Sequence, residues 1–265
     1  KFGGTAVGDI ERINNVAAHV KEEYDAGNEV AVVVSAMSGE TNRLLGLARD
    51  LTSNPSPREL DVLVSNGEQV SMALLAMALH KRGIDALSLK GSQVAIRTDS
   101  FHSKARIQSI DDRRLRAELD RGRVVVVAGF QGVDENGEVT TLGRGGSDTS
   151  AVALAAAVSA DECQIYTDVD GVYTTDPRIV DGAQRLESIT FEEMLEMASL
   201  GAKVMQPVSI QDARLNRIDI EVKSSFKNKS GTLITKRSNI INNKIVTGIS
   251  STQNDSKVSL IGVKD

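Results

Sequence analysis

The chain has 265 residues, a net charge of −5 and one cysteine, Cys163. That length holds one large domain, or one domain and a fragment of another. The acidity excludes a nucleic-acid partner, which requires a basic face, and a lone cysteine excludes an intrachain disulfide and fits a reducing, cytoplasmic setting. No apolar run of about 18 residues predicts a membrane span, and no signal peptide is visible.

Aromatic residues make up only 3% of the chain and tryptophan is absent, so the core has to be aliphatic. The chain opens on Lys1-Phe2-Gly3-Gly4, which leads us to expect a short strand before residue 1. Asp9 is placed to cap a helix with apolar positions Ile10, Ile13, Val16, Ala17 and Val20, ended by Gly27. Glu29 to Ser35 reads as a buried strand. Ser56-Pro57 starts a long helical stretch to about Gly83, with proline at the first helical position. Asp85 to Leu89 is a further strand, Asp111 is expected to cap a helix to Arg121, and Val124 to Val127 is the most apolar strand of all. Asp134-Glu135-Asn136-Gly137 marks a hairpin. Ser147 to Val158 is an alanine-rich helix and Cys163 to Thr167 a strand. This alternation implies a mainly parallel sheet covered on both faces. After residue 235 the run 236–244 reads as a linker. Two β-like runs follow, Ile245 to Ile249 and Val258 to Val263. Two strands bury no core alone, so 245–265 is expected to begin a second domain.

Three loops carry chemistry. Lys1-Phe2-Gly3-Gly4-Thr5 offers backbone N–H groups and a lysine to an anion, although a tight β–α turn explains this loop equally well. Gly143-Arg144-Gly145-Gly146-Ser147-Asp148 leads into the alanine-rich helix. Helix capping accounts for Ser147 and Asp148, but not for Arg144, whose planar fork suits a carboxylate, nor for the glycines. Thr167 to Arg178 follows a strand end, where open α/β sheets bind ligands. Asp170-Gly171 and Asp176-Pro177 are also ordinary turn pairs, while Tyr173 and Arg178 are candidates to hold a nucleotide. The P-loop, dinucleotide and protein-kinase signatures are absent. His19, His80 and His102 stand singly, so no metal site is expected.

Together these loops resemble the motifs of the aspartate kinases, within the amino-acid kinase family. Lys1-Phe2-Gly3-Gly4-Thr5, Ser35-Ala36-Met37-Ser38-Gly39-Glu40-Thr41-Asn42, Ser65-Asn66-Gly67-Glu68, Gly143 to Asp148, Thr167 to Arg178 and Gly201-Ala202-Lys203-Val204 follow the family's order over almost the whole chain. Ala6 replaces a common serine, and Gln206 a histidine found in some members. The tail from Ile245 resembles the start of an ACT domain, so 1–235 is expected to be catalytic and 245–265 the beginning of a regulatory unit.

The resemblance implies a three-layer α/β/α sandwich in which ATP and aspartate meet above the sheet. By the same resemblance Lys1, Gly3 and Gly4 touch the transferring phosphate. Ser35, Thr41, Glu68, Phe130, Arg144, Gly145, Gly146 and Ser147 surround aspartate. Thr167, Asp168, Tyr173, Asp176, Arg178, Lys203 and Val204 hold ATP, and Asp148 orients Lys1 and Lys203. Taken alone, Glu68 reads as a helix-start acid and Lys203 as a surface lysine. The implied acceptor is a carboxylate, already ionised at neutral pH, so no general base is required. Catalysis then falls to positioning and charge neutralisation by the lysines, the glycine amides and Mg²⁺ held mainly by nucleotide phosphates. A homodimer, with or without further regulatory subunits, is the expected assembly. A kinase for another acidic acceptor such as glutamate, and a non-catalytic effector-binding protein on this fold, are the alternatives.

Overall fold

The computed structural model describes residues 1–202, 204–227, 229–236 and 246–251. In chain order the first half holds α1 (Ile10–Asp25), β1 (Ala31–Val34), α2 (Glu40–Leu51), α3 (Pro57–Val64), α4 (Asn66–His80), β2 (Ala86–Leu89), β3 (Ile96–Thr98), β4 (Ile107–Ile110), α5 (Arg113–Leu119) and β5 (Val124–Ala128). The second half adds β6 (Gln131–Val133), β7 (Val139–Thr141), α6 (Gly146–Ala157), β8 (Cys163–Thr167), β9 (Ser188–Thr190), α7 (Phe191–Ser199), α8 (Pro207–Asn216), β10 (Ile220–Ser224) and β11 (Thr232–Thr235).

The main sheet runs β2-β5-β1 on one side and β8-β10-β11-β9 on the other. Phe2 joins the two parts by parallel bridges to Val34 and Tyr166. Every named pair in this sheet is parallel except β10 with β11. The valine run of β5 explains why it lies inside. In a strand successive side chains face opposite ways. Val124, Val126 and Ala128 accordingly pack with Ile13, Val16 and Val20 of α1 and Leu75 and Leu79 of α4. Val125 and Val127 pack on the other face with Leu115 of α5, Val152 and Leu154 of α6, and Ile210 of α8. Apolar surface on both faces of one strand requires helices on both sides, which is the three-layer α/β/α sandwich expected from the sequence. A smaller sheet, β4-β3-β6-β7, stands beside it. It includes the Asp134–Gly137 hairpin, where Asp134 Oδ1 accepts from the amides of Asn136 and Glu138.

Several local expectations change. The strand read over 29–35 is shorter, at Ala31–Val34. The long helix after Pro57 is two helices, α3 and α4, separated at Ser65. As a 24-residue stretch, Pro57–His80 is long and apolar enough by composition to cross a membrane, contrary to the sequence expectation, and 56% of it is buried inside the protein. It is a core helix pair, with Leu75 and Leu79 fully buried against the sheet. Asp9 caps α1 as expected, accepting from Arg12 N. Asp111 does not cap α5, which has Asp112 at the cap position, because its carboxylate is engaged with the Arg113 guanidinium and amide. Residues 246–251 carry no strand; the other tail positions read as β, 245 and 258–263, lie outside the described residues, as do 237–244 of the linker.

Candidate active site

The loop at Lys1–Thr5 follows the Phe2 bridge between β1 and β8, the Thr167–Arg178 loop leaves the carboxyl end of β8, and the Gly143–Asp148 loop runs from β7 of the smaller sheet into α6. The first loop is fixed by backbone bonds on both flanks. Phe2 N donates to Val33 O, Ser35 N donates to Phe2 O, Tyr166 N donates to Lys1 O, and Gly3 N donates to Tyr166 O. Residues 1–3 thus run as a short strand between β1 and β8, and the chain turns at Gly3-Gly4. Gly4 lies against the segment Ser35–Gly39 that follows β1: a Cβ there would meet Ala36 O at 2.9 Å.

Lys1 and Asp148 come together across the sheet end. Lys1 Nζ is 2.6 Å from Asp148 Oδ1, and the side chains are 9% and 13% exposed. Asp148 lies within the first turn of α6, not at its cap. The cap position is Gly145, which makes no side-chain cap bond. Capping therefore explains neither Ser147 nor Asp148, and the pair with Lys1 is the observation that separates this loop from an ordinary helix start. The amino end of α6 also presents the positive end of its dipole to the same space.

Gly143 and Gly145 adopt φ of 76° and 74°, a region that favours glycine. A side chain at Gly145 would strike Gln206, so the position that departs from some family members packs directly on this loop. Ser147 lies against Gly129, where a Cβ would approach it to 2.9 Å. Phe130 has φ of 69°, unusual for an aromatic residue, and its amide donates to Ser150 Oγ in α6. The strand end, the glycine loop and α6 thereby fix this strained residue at the site. Arg144 is exposed and makes no ion pair among the described residues.

Glu68 sits in the first turn of α4, yet its carboxyl is not the dipole-stabilised surface acid that position suggests. It is 3% exposed, and burial pushes its pKa up to about 7, against the opposing bond from Ala36 N to Oε1. Oε2 is buried and has no hydrogen-bond partner among the described residues. Gly67 lets α4 come this close, since a Cβ there would stand 2.7 Å from Ala36 Cβ. Ser35 and Thr41, at the end of β1 and the start of α2, are both half-buried.

The loop after β8 is built differently. Thr167 Oγ1 donates to Asp168, and Asp168 itself is exposed. Tyr173 donates its hydroxyl to Asp170 at 2.9 Å, which raises its pKa. Asp176 pairs with Arg178 at 2.7 Å, and the bonds from Arg178 hold the Asp176 carboxyl down at about 2. Thr232 Oγ1 accepts from Val172 N and donates to Leu186 O, tying the loop to β11. Val204 is half-buried. Lys203 lies outside the described residues. Among them, no group of three or more His, Cys, Asp or Glu side chains is arranged to hold a metal.

One contributor escaped the sequence motifs. Asp61 of α3 is fully buried and accepts from Ser103 N, Thr141 N and Thr141 Oγ1, with His102 Nδ1 2.9 Å away. It pins the 102–104 turn beneath Gly143, whose Cβ would lie 3.3 Å from Ser103 O. The sequence sets it apart from its neighbour Glu59 only by its place nearer the apolar end of α3, Asp61-Val62-Leu63-Val64.

The family model for the amino acid kinase family matches residues 1–224. The chain belongs to the amino acid kinase family. It is 61% identical to an aspartate kinase of Pseudomonas putida and 52% identical to an aspartokinase of Geobacillus stearothermophilus, in both cases over 100% of this chain and 65% of the relative. The chain thus spans slightly less than two thirds of these relatives. Among solved structures, the aspartate kinase of Synechocystis superposes with a TM-score of 0.79 at 50% identity, covering 89% of this chain and 39% of that one. Aspartokinase III of E. coli, in complex with aspartate and ADP, gives a TM-score of 0.80 at 31% identity over 89% of this chain and 63% of that one. The amino acid kinase fold is thereby established for this chain.

Proposed function

We propose that this amino acid kinase family chain is the catalytic part of an aspartate kinase, moving the γ-phosphoryl group of ATP to the β-carboxylate of L-aspartate. The observation that carries the reading is the buried Lys1–Asp148 pair where the three loops converge. The likeness to aspartate kinases supports the choice of acceptor.

In this reading an oxygen of the ionised β-carboxylate forms the new P–O bond, while the bond between the γ-phosphorus and its bridging oxygen breaks and releases ADP. No proton need be removed from the acceptor at neutral pH. The obstacle is the approach of two anions, so the protein supplies fixed positive charge. Lys1 does so, held by Asp148, with the amides of Gly3 and Gly4 and the amino end of α6. Lys203 is proposed to act beside it. Glu68 receives the substrate ammonium on its unpartnered Oε2, and Arg144 forks onto the α-carboxylate, which leaves the β-carboxylate facing the phosphate. Ser35, Thr41, Phe130, Gly145, Gly146 and Ser147 complete that pocket. Thr167, Asp168, Tyr173, Asp176, Arg178 and Val204 hold the nucleotide. Held mainly by the nucleotide phosphates and water, Mg²⁺ would neutralise part of the phosphate charge, and no side chain among the described residues is assigned to ligate it.

The same reading places the enzyme in the cytoplasm as a homodimer, serving biosynthesis of aspartate-derived amino acids. Residues 1–235 form its catalytic domain, and the tail from 245 leads into an ACT-type regulatory unit. An assay of the purified chain with ATP, Mg²⁺ and a panel of acidic amino acids, trapping acyl phosphate with hydroxylamine, tests it. Aspartyl hydroxamate is the expected product. Glutamyl hydroxamate in its place reassigns the acceptor, and no hydroxamate with any acceptor removes the catalytic reading.

A further inference from the structure

The residues just past β10 belong to none of the motifs, yet three consecutive ones reach two of the site's loops: Ser225 and Lys227 touch the loop after β8, and Phe226 reaches the Lys1–Thr5 loop through Arg12. Ser224 pairs in register with Thr167, so Ser225 lies one step beyond, beside the start of the nucleotide loop. Ser225 N donates to Thr167 O at 2.8 Å. The Phe226 ring lies under the Arg12 guanidinium, 5.4 Å from its carbon, and Arg12 Nη1 donates to Thr5 O in the phosphate loop at 2.7 Å. Lys227 Nζ is 3.0 Å from Asp170 Oδ2, whose other oxygen accepts the Tyr173 hydroxyl. Phe226 and Lys227 are both more than half exposed, so neither is needed to fill the core.

We propose that the Ser225-Phe226-Lys227 turn is a positioning element that holds the phosphate loop and the nucleotide loop in register, through Arg12 on one side and Asp170 on the other. It rests on the reading of these loops as an ATP site. The turn reaches Tyr173 and Thr5 only through Asp170 and Arg12, so it acts on nucleotide binding and leaves the acceptor pocket unchanged. Exposed cation–π and ion-pair contacts are individually weak, so each link is expected to change affinity by a few-fold.

Calorimetric titration with Mg²⁺ and ADP, using the full chain, tests the proposal. Phe226→Ala and Lys227→Met should each raise the ADP Kd about three- to fivefold, with the melting temperature and the aspartate KM unchanged. Lys227→Arg should restore binding. Lys227→Met added to Tyr173→Phe should be no worse than Tyr173→Phe alone, since both act on one chain of contacts, whereas Phe226→Ala should add to it in full. Unchanged ADP affinity in both single variants overturns the proposal, and so does a parallel loss of melting temperature and aspartate binding, which marks a general structural role. A wild-type chain that fails to bind ADP overturns the nucleotide-site reading along with it. Normal wild-type binding with unaffected variants overturns the positioning role only.

Discussion

In the proposed reading Glu68 belongs to the acceptor pocket and Asp176 to the nucleotide loop, and the surroundings of these two carboxylates drive them in opposite directions. Burial raises the Glu68 pKa to about 7 and leaves Oε2 without a partner. Asp176 lies at the surface and is drawn down to about 2 by the bonds from Arg178. On the proposed acceptor side Glu68 and Ser147 are buried, and Glu68 is complete only when a cation arrives, while Arg144 stands exposed. On the proposed nucleotide side half-buried and exposed groups, Tyr173 with Asp170 and Asp176 with Arg178, already satisfy one another. Selecting a small zwitterion requires desolvated charge, because a polar group left unpaired penalises the wrong ligand. Holding a large nucleotide is spread over many weak contacts. If this contrast is real, substitutions on the first side should produce large, specific defects, and those on the second small ones.

The largest effect is expected where the two sides meet. Asp148→Asn keeps the shape and removes the charge that fixes Lys1 in a site excluded from water. Turnover should fall about 10²- to 10³-fold, the scale seen when one preorganised electrostatic group is lost, with little change in either KM. Steady-state kinetics decide this; a near-normal kcat would remove the Lys1–Asp148 pair from the chemistry.

Glu68→Gln should be next, and it tests the buried side twice. The aspartate KM should rise about 10- to 100-fold, consistent with loss of a charge-assisted bond, and the ATP KM should hold. Stability should move the other way. With a raised pKa, the folded state keeps a proton that the unfolded chain releases between about 4.5 and 7, so Glu68 lowers stability as pH rises through that window. The penalty is on the order of 3 kcal/mol once both states are ionised. Glu68→Gln should then melt higher than wild type at pH 8 and little differently near pH 4.5. In the wild type the aspartate KM should climb as pH drops below about 7, because the ammonium needs the ionised carboxylate. A pH-independent KM for aspartate would contradict this.

These contrasts show what the amino-acid order made legible. The valine runs of β1 and β5 declared a sheet buried on both faces, because no other arrangement hides apolar side chains that alternate between two sides. The glycine loops announced themselves because close backbone approach and positive φ leave few alternatives to glycine. The burial of Glu68 was not legible, since it depends on Gly67 bringing α4 against Ala36, and helix position alone favoured a surface acid. Asp61 was hidden for the same reason: its partners at 103 and 141 are distant in sequence and meet only in the fold. The division into α3 and α4 falls at Ser65-Asn66-Gly67, residues that favour a break, but the apolar residues on either side keep a helical spacing that reads straight through it. Asp111 misled because an acid before a helix also has the option of a neighbouring arginine.

The smallest expected effect probes the exposed side. Arg178 is 83% exposed and its bonds go to Asp176, two residues away. Such a pair adds little to folding, since solvent screens it and ordering two side chains offsets the attraction. Arg178→Ala should leave the melting temperature unchanged and raise the ATP KM a few-fold, with aspartate KM unaffected. Arg144→Ala is the control on the acceptor side, also exposed but making no ion pair among the described residues, and should raise the aspartate KM by clearly more while sparing ATP. Measuring both KM values for both variants separates the two sides without reference to stability. Equal effects of the two arginines on both substrates would mean that exposure, not the side of the crevice, sets the size of the defect, and that the acceptor pocket owes its selectivity to Glu68 alone.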